Sequence, residues 1–248
     1  MVSESKSVKA LENGLIVSCQ ASSGEPLCKP EHILALCLTV INGGATALRL
    51  EGVENIALLR KNTDLPIIGI TKTHGLTTEQ CLERAYITPS FAEARQVSLA
   101  GADIIAIDAT GRERLDGLSL EETIEKIHNE LQKPVWADIA TFEEGIAAAR
   151  AGADIVSTTL FGYTSYSCFD DYQGPAIDLV ARLSKTLDKT LCTPVILEGR
   201  VWTPEEVEKA MESGAYAVVV GSAITRPHLI TRRFRDALAR SGTSSLPQ

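Results

Sequence analysis

Short apolar runs alternate along the chain with longer amphipathic stretches. The stem Gly-Ala leads four of the runs: GGATALRL from Gly43, GADIIAIDAT from Gly101, GADIVSTTL from Gly152 and GAYAVVVGS from Gly214. Aligned on Gly44, Gly101, Gly152 and Gly214, the copies stand 57, 51 and 62 residues apart. That interval is too long for one solenoid repeat and suits two βα units. Between the copies lie three proline-led runs, PIIGITK from Pro66, PVWADI from Pro134 and PVILEGR from Pro194, and LIVSCQ from Leu15 precedes them all. Eight short strands separated by helical stretches predict a parallel sheet with right-handed crossovers. At 248 residues, the expected architecture is a single-domain (β/α)8 barrel. The runner-up, an open doubly wound sheet, calls for a G-x-G-x-x-G turn after the first strand. That position holds SCQASSGEPLC instead.

The stretches between the runs have helical periodicity. In EHILALCLTVINGG (31–44), Ile33, Leu34, Cys37, Leu38 and Ile41 share a face, and the Gly pair suits a C-cap. A second helix is expected over TTEQCLERA. SFAEARQVSLAG is expected to pack Phe91, Ala94, Val97 and Leu99. Ser119 with Glu122 forms a capping box ahead of ETIEKIHNEL. TFEEGIAAARAG and TPEEVEKAMESG are near-copies, each with Thr and acidic residues at the start and Gly at the end. GPAIDLVARLSKTL completes the set. Residues 1–13 and 242–248 are expected to be polar termini.

Composition narrows the class. The chain is 44% hydrophobic and 23% charged, enough for one large core. A net charge of -8 gives no support to a nucleic-acid or membrane partner. The cysteines at 19, 28, 37, 81, 168 and 192 form no C-x-x-C pair and no zinc spacing. MVSESKSVKALENG has no apolar h-region, and no stretch approaches the ~18 apolar residues of a membrane span. A reduced, cytoplasmic protein is expected.

In such a barrel, chemistry sits at the C-terminal strand ends. Those ends offer Gln20, Arg49, Lys72, Asp108, Asp138, Thr158 or Thr159, Glu198, and Gly221-Ser222. Period-two counting from Ile68 and Ile70 aims Lys72 into the barrel mouth, where a lysine is costly unless paired or deprotonated. Glu198 stands at the tip of the seventh strand. Lys72 and Glu198 can be a structural ion pair or an acid–base couple. The loops after strands seven and eight hold phosphate in phosphate-binding barrels. Here they carry Gly199, Gly221 and Ser222 as backbone donors, with Arg200 and Arg226 as cations. Asp108 and Asp138 can bind magnesium, hold sugar hydroxyls or pair with Lys72. The histidines at 32, 74, 128 and 228 lack metal spacing and suit surface or cap roles. The segment 162–175 is long for a βα loop and is expected to be a lid.

SCQA, PIIGITK, ITPS (87–90), GADIIAIDAT, TFEEG, TTLFGYT, LEGR and VVVGSAITRP together resemble the N-acetylmannosamine-6-phosphate 2-epimerases of bacterial amino-sugar and sialic acid catabolism. The resemblance runs from Gly14 to Pro227. It implies epimerisation at C2 of a phosphosugar by deprotonation and reprotonation, with Lys72 and Glu198 catalytic. It also implies Gln20, Arg49 and Asp138 as substrate contacts, joined by Tyr163 of the GYT segment. Phosphate is expected at Gly199, Arg200, Gly221, Ser222 and Arg226. No cofactor and no metal is implied, and a homodimer is expected. Ala140 stands where the family usually has serine, Phe161 where a small residue is common, and RLEG (49–52) and RERLDG (112–117) drift from the pattern. These departures touch fine substrate contacts. A Schiff-base aldolase at Lys72, a magnesium-dependent isomerase and a non-catalytic phosphosugar-binding protein are the competing readings.

Overall fold

A computed structural model describes residues 5–167 and 174–240. The first half runs α1 (Lys6–Lys9), β1 (Leu15–Cys19), α2 (Pro30–Asn42), β2 (Ala47–Glu51), α3 (Val53–Arg60), β3 (Ile67–Ile70), α4 (Thr78–Glu83), α5 (Phe91–Leu99) and β4 (Ile104–Asp108). It continues through α6 (Leu120–Lys126), β5 (Val135–Asp138), α7 (Phe142–Arg150), β6 (Ile155–Ser157) and α8 (Ile177–Thr190). The last units are β7 (Val195–Glu198), α9 (Pro204–Glu212), β8 (Ala217–Val220), α10 (Ser222–Thr225) and α11 (Pro227–Arg240). The eight strands pair in parallel in sequence order, and β1 closes the barrel against β8. The eight apolar runs are the eight strands.

The recurring Gly-Ala stem has one physical job. Gly44, Gly101, Gly152 and Gly214 all adopt positive φ, between 92° and 105°. The following Ala45, Ala102, Ala153 and Ala215 donate their N–H groups to Val40, Val97, Ala148 and Ala210, five residues back. This is a Schellman ending, in which a left-handed residue turns the chain so that the next amide caps the helix. Each alanine is then buried between helix and sheet. Three of the odd strands, β3, β5 and β7, use proline instead. Pro66, Pro134 and Pro194 have no N–H to offer, yet their carbonyls accept from Leu48, Ile105 and Val156 of the neighbouring strand.

Two helix faces differ from the periodic reading. Ala94 and Val97 of α5 are buried, but Leu99 is 79% exposed, because two residues beyond Val97 is the opposite side of a helix. Leu38 of α2 also faces outward, while Ile33 and Cys37 are buried. The capping boxes at Ser119, Thr141 and Thr203 are formed. The N-terminal stretch is more than a polar terminus. Val8 and Leu11, three residues apart, pack with Ile16 inside the barrel, and Leu11 is fully buried. Residues 1–4 and the polar tail over 242–248 lie outside the described residues.

The barrel interior changes character over a single two-residue step. Ile16, Ala47, Ile68, Ile70, Ala106, Trp136, Ile155, Ile196 and Val219 form an apolar inner cluster. Two positions on lie Ser18, Arg49, Ile70, Lys72, Asp108, Asp138, Ser157, Glu198 and Gly221. Strand parity sends both sets inward. An apolar floor therefore carries a largely polar layer at the C-terminal end.

Gly69 shows how tightly the outer layer is packed. A Cβ there would come within 2.7 Å of Ala102 Cβ and 3.0 Å of Ile56 Cδ1, and against Val97 as well. Gly69→Ala is expected to lower stability by about 1–3 kcal/mol through overpacking. Thermal denaturation checks this; an unchanged midpoint would show that α3 and α5 yield at no cost.

Candidate active site

The polar layer opens into a cavity of about 410 Å³, within the usual range for small-molecule sites. Gln20, Arg49, Lys72, Glu198, Gly199, Arg200, Gly221, Ser222, Arg226 and Tyr163 all line it. Asp138 does not. It lies behind Arg49, fully buried.

Arg49 is the floor of the site. It projects inward from β2 and is only 1% exposed. Its Nη1 and Nη2 donate to Asp138 Oδ1 and Oδ2 at 3.1 and 2.6 Å. Nη1 also lies 3.2 Å from Glu198 Oε2. The guanidinium sits 5.4 Å from the ring centroid of Trp136, whose Nε1 donates to Asp138 Oδ1 at 2.9 Å. A buried guanidinium with a bidentate carboxylate and an aromatic partner is rigidly placed. Asp138, expected as a substrate contact, holds Arg49 from the side away from the cavity.

Lys72 and Glu198 face the same cavity from β3 and β7. Lys72 Nζ donates to Gln20 Oε1 at 2.6 Å, and Gln20 Nε2 donates to Ser18 Oγ at 2.8 Å. Ser18 thereby turns the amide so that its oxygen meets the lysine. Burial holds the Lys72 pKa below the ordinary lysine value; Glu51 and Glu198 oppose that shift, while Arg49 and Arg226 add to it. Burial pushes the Glu198 carboxyl up to about 7, against the pull of Arg49. Asp138 adds to the rise, and the Thr159 hydrogen bond and Lys72 work against it. One group is displaced toward the neutral amine and the other toward the neutral acid.

The residues expected to hold phosphate all line the cavity. Gly199, at φ 105°, and Arg200, at φ 57°, make a sharp left-handed turn after β7. Arg200 Nη1 donates to Phe161 O at 2.7 Å, and its guanidinium lies 4.6 Å from the ring centroid of Tyr163. It clamps the loop after β6 rather than standing free over the cavity. Arg226 pairs with Glu25 at 3.2 Å, both about one-quarter exposed. Gly221 lets the chain pass close to Ser18, whose Cβ would lie 3.4 Å from an added Cβ.

Asp108 and Asp138 are neighbours in register, yet each carries its own arginine. Asp108 Oδ2 takes Arg112 Nη2 at 2.6 Å, and Oδ1 takes the Thr110 hydroxyl at 2.6 Å. Both carboxylates are engaged by arginine. Arg112 reaches further, to Cys81 O at 2.5 Å and Tyr163 O at 3.5 Å, and so ties three rim loops together.

Sequence reasoning missed Tyr86, Trp202 and Ser18 among the cavity residues. Ser18 was findable, since it shares the parity of Gln20. Tyr86 was not. It comes from the excursion after β3, which returns so that Lys72 and Ile87 form a bridge. Of the 162–175 segment, residues 168–173 lie outside the described residues. Tyr163 stands at the cavity mouth, 44% exposed.

The family model described as "Putative N-acetylmannosamine-6-phosphate epimerase" matches residues 33–240. A relative from Caldanaerobacter subterraneus is 47% identical over 230 residues, covering 92% of each chain. One from Cutibacterium acnes is 45% identical, covering 93% of this chain and 96% of its own. Both are named "Putative N-acetylmannosamine-6-phosphate 2-epimerase". The solved N-acetylmannosamine-6-phosphate 2-epimerase from Clostridium perfringens superposes with a TM-score of 0.84 at 41% identity, covering 93% of this chain and 96% of that one. A thiamine phosphate pyrophosphorylase from Pyrococcus furiosus shares the fold, at a TM-score of 0.55 and 14% identity.

The raised Glu198 pKa has a stability consequence. Between the ordinary value of 4.5 and about 7, the folded protein holds a proton that the unfolded chain has lost. Stability therefore falls as pH rises through that window. Glutamine has no such proton. Glu198→Gln is expected to gain stability relative to wild type between pH 5 and 8, by roughly 3 kcal/mol at most. Thermal melts of both proteins at the two pH values test it. A difference that stays constant with pH would mean that Glu198 titrates at its ordinary value.

Proposed function

The chain belongs to the N-acetylmannosamine-6-phosphate epimerase family, and on that premise we propose that it converts N-acetyl-D-mannosamine 6-phosphate to N-acetyl-D-glucosamine 6-phosphate. The observation that carries the reading is one cavity shared by a lysine with a lowered pKa and a carboxyl with a raised one.

The C2 hydrogen is acidic only when C1 is an aldehyde, so the open-chain sugar reacts. Neutral Lys72 takes the C2 proton. The C–H electron pair becomes the C1–C2 double bond, and negative charge moves to O1. Glu198, as the neutral acid, returns a proton to C2 from the opposite face. Substrate and product are isomers, so the reaction consumes no oxidant or reductant. Both shifts run in the direction that acid–base chemistry near neutral pH favours. Gln20 holds Lys72 in place, and Arg49 orients the sugar oxygens from the cavity floor. Asp138 acts from behind Arg49, and Tyr163 flanks the mouth.

Phosphate binds at the corner formed by Gly199, Arg200, Gly221, Ser222 and Arg226. Arg226 is the principal cation there if phosphate displaces its partner Glu25, whereas Arg200 braces the loop after β6 through the Phe161 carbonyl. Phosphate held at a distance from C2 supplies binding energy that helps align the reacting end. We place the protein in the cytoplasm, a reading supported by the free thiols of the five described cysteines. Among the described residues, no helix is long and apolar enough to cross a membrane. Homodimerisation is supported by α11, which buries no residue and leaves Phe234 72% exposed. Light scattering is expected to report twice the chain mass; a monomer at micromolar concentration would remove the proposal.

The central test follows the C2 proton of N-acetylmannosamine 6-phosphate by NMR in deuterated water. Conversion to the gluco epimer with deuterium entering C2 is expected. Conversion that kept the C2 hydrogen in full would sink the mechanism. Lys72→Ala is expected to lose at least about 10²–10⁴-fold in turnover while still binding phosphosugar. Near-normal kcat in that variant would make Lys72 structural. Arg226→Ala is expected to raise KM by about 10–100-fold, since a charge-assisted hydrogen bond contributes roughly 1.5–3 kcal/mol. Arg200→Ala is expected to affect KM less, and the reverse order would move the phosphate to Arg200.

A further inference from the structure

Glu198 is held from two sides by consecutive threonines of the turn after β6. Thr158 Oγ1 donates to the Glu198 carbonyl at 3.0 Å and accepts from the Glu198 amide at 3.1 Å, so it fixes the backbone. Thr159 Oγ1 lies 3.1 Å from Glu198 Oε2, 2.5 Å from Asp138 Oδ1 and 3.0 Å from Ser157 Oγ. A hydroxyl has one proton and two acceptor lone pairs. Two carboxylates therefore compete for a single proton, and Ser157 can donate to the same oxygen.

The two claims differ in need. Asp138 Oδ1 already receives Arg49 Nη1 and Trp136 Nε1, and Oδ2 receives Arg49 Nη2. Glu198 Oε2 has Arg49 Nη1 as its only other partner, and Oε1 makes no hydrogen bond among the described residues. The second oxygen is the one left for the cavity that Glu198 lines.

We propose that Thr159 is a positioning residue for proton transfer at Glu198: its hydroxyl fastens Oε2, so that Oε1 is the oxygen presented to C2. The hydroxyl proton is shared between the two carboxyl groups, and the bond to Glu198 strengthens once Glu198 has given its own proton away. Asp138 tolerates the weaker share because its other donors remain. The inference rests on the epimerase reading for the identity of C2. The contact between Thr159 and Glu198 does not depend on that reading.

Thr159→Val keeps the shape and removes the hydroxyl. The ionised form of Glu198 then loses a hydrogen bond, and its titration is expected to move up by about one to two pH units. The Glu198 signal is followed by carbon NMR of glutamate-labelled protein without substrate, and assigned by its loss in Glu198→Gln. In parallel, kcat is expected to fall about tenfold or more with KM within about twofold, because the loss falls on the reacting step. Thr159→Ser is expected to restore both readouts. A Glu198 titration that stays in place or moves down in Thr159→Val overturns the assignment. So does failure of serine to rescue, which would make the methyl group the important part. Absence of turnover in the wild-type protein would overturn the epimerase reading instead, while the substrate-free titration still decides the link between Thr159 and Glu198.

Discussion

The buried ion pair between Arg49 and Asp138 is the constraint on which the site depends. A guanidinium that is 1% exposed persists only if its charge is matched, and here both terminal nitrogens donate to Asp138 while Nε has no partner among the described residues. Asp138 supplies both oxygens, and Trp136 covers the guanidinium face while bonding the same carboxylate. The pair seals the apolar barrel interior from the cavity. Everything above it senses a fixed positive charge whose counter-ion lies below.

That arrangement gives Lys72 and Glu198 their different characters. Both lose water on burial, and for each the neutral form gains most from that loss. Arg49 disfavours an ammonium at Lys72 and favours a carboxylate at Glu198; Asp138 works against it at Glu198. A mobile arginine would blur these effects. A rigid one makes them a stable property of the fold, which is what acid–base chemistry at neutral pH requires.

The rim is braced in the same manner. Arg112 joins Asp108 to the loops after β3 and β6, and Arg200 joins the end of β7 to the carbonyls of Phe161 and Gly162. In both cases an arginine near the cavity holds loops in place through backbone carbonyls. Both arginines beside Tyr163 are thus spoken for. Arg226, which also lines the cavity, pairs with the carboxylate of Glu25, and both are about one-quarter exposed.

Much of this was legible before folding was considered. The Gly-Ala stems marked four Schellman endings, because only a residue free to adopt positive φ turns a helix sharply into the next strand. Period-two counting placed Ile68, Ile70 and Lys72 on one inward line, since alternation is a local property of a strand. The same count put Arg49, Asp138 and Glu198 at the rim. It could not say which of them would touch a ligand. Asp138 and Arg49 stand at equivalent points on their strands, yet one lines the cavity and the other is sealed behind it. That outcome depends on barrel closure and on side-chain length, which let Arg49 reach across to β5. Tyr86 and the double claim on the Thr159 proton were likewise invisible, because each arises from segments distant in sequence and adjacent only in space. The chain's local pattern determined the strands, the turns and the inward positions; the pairing of charges among those positions was decided only when eight strands closed on one another.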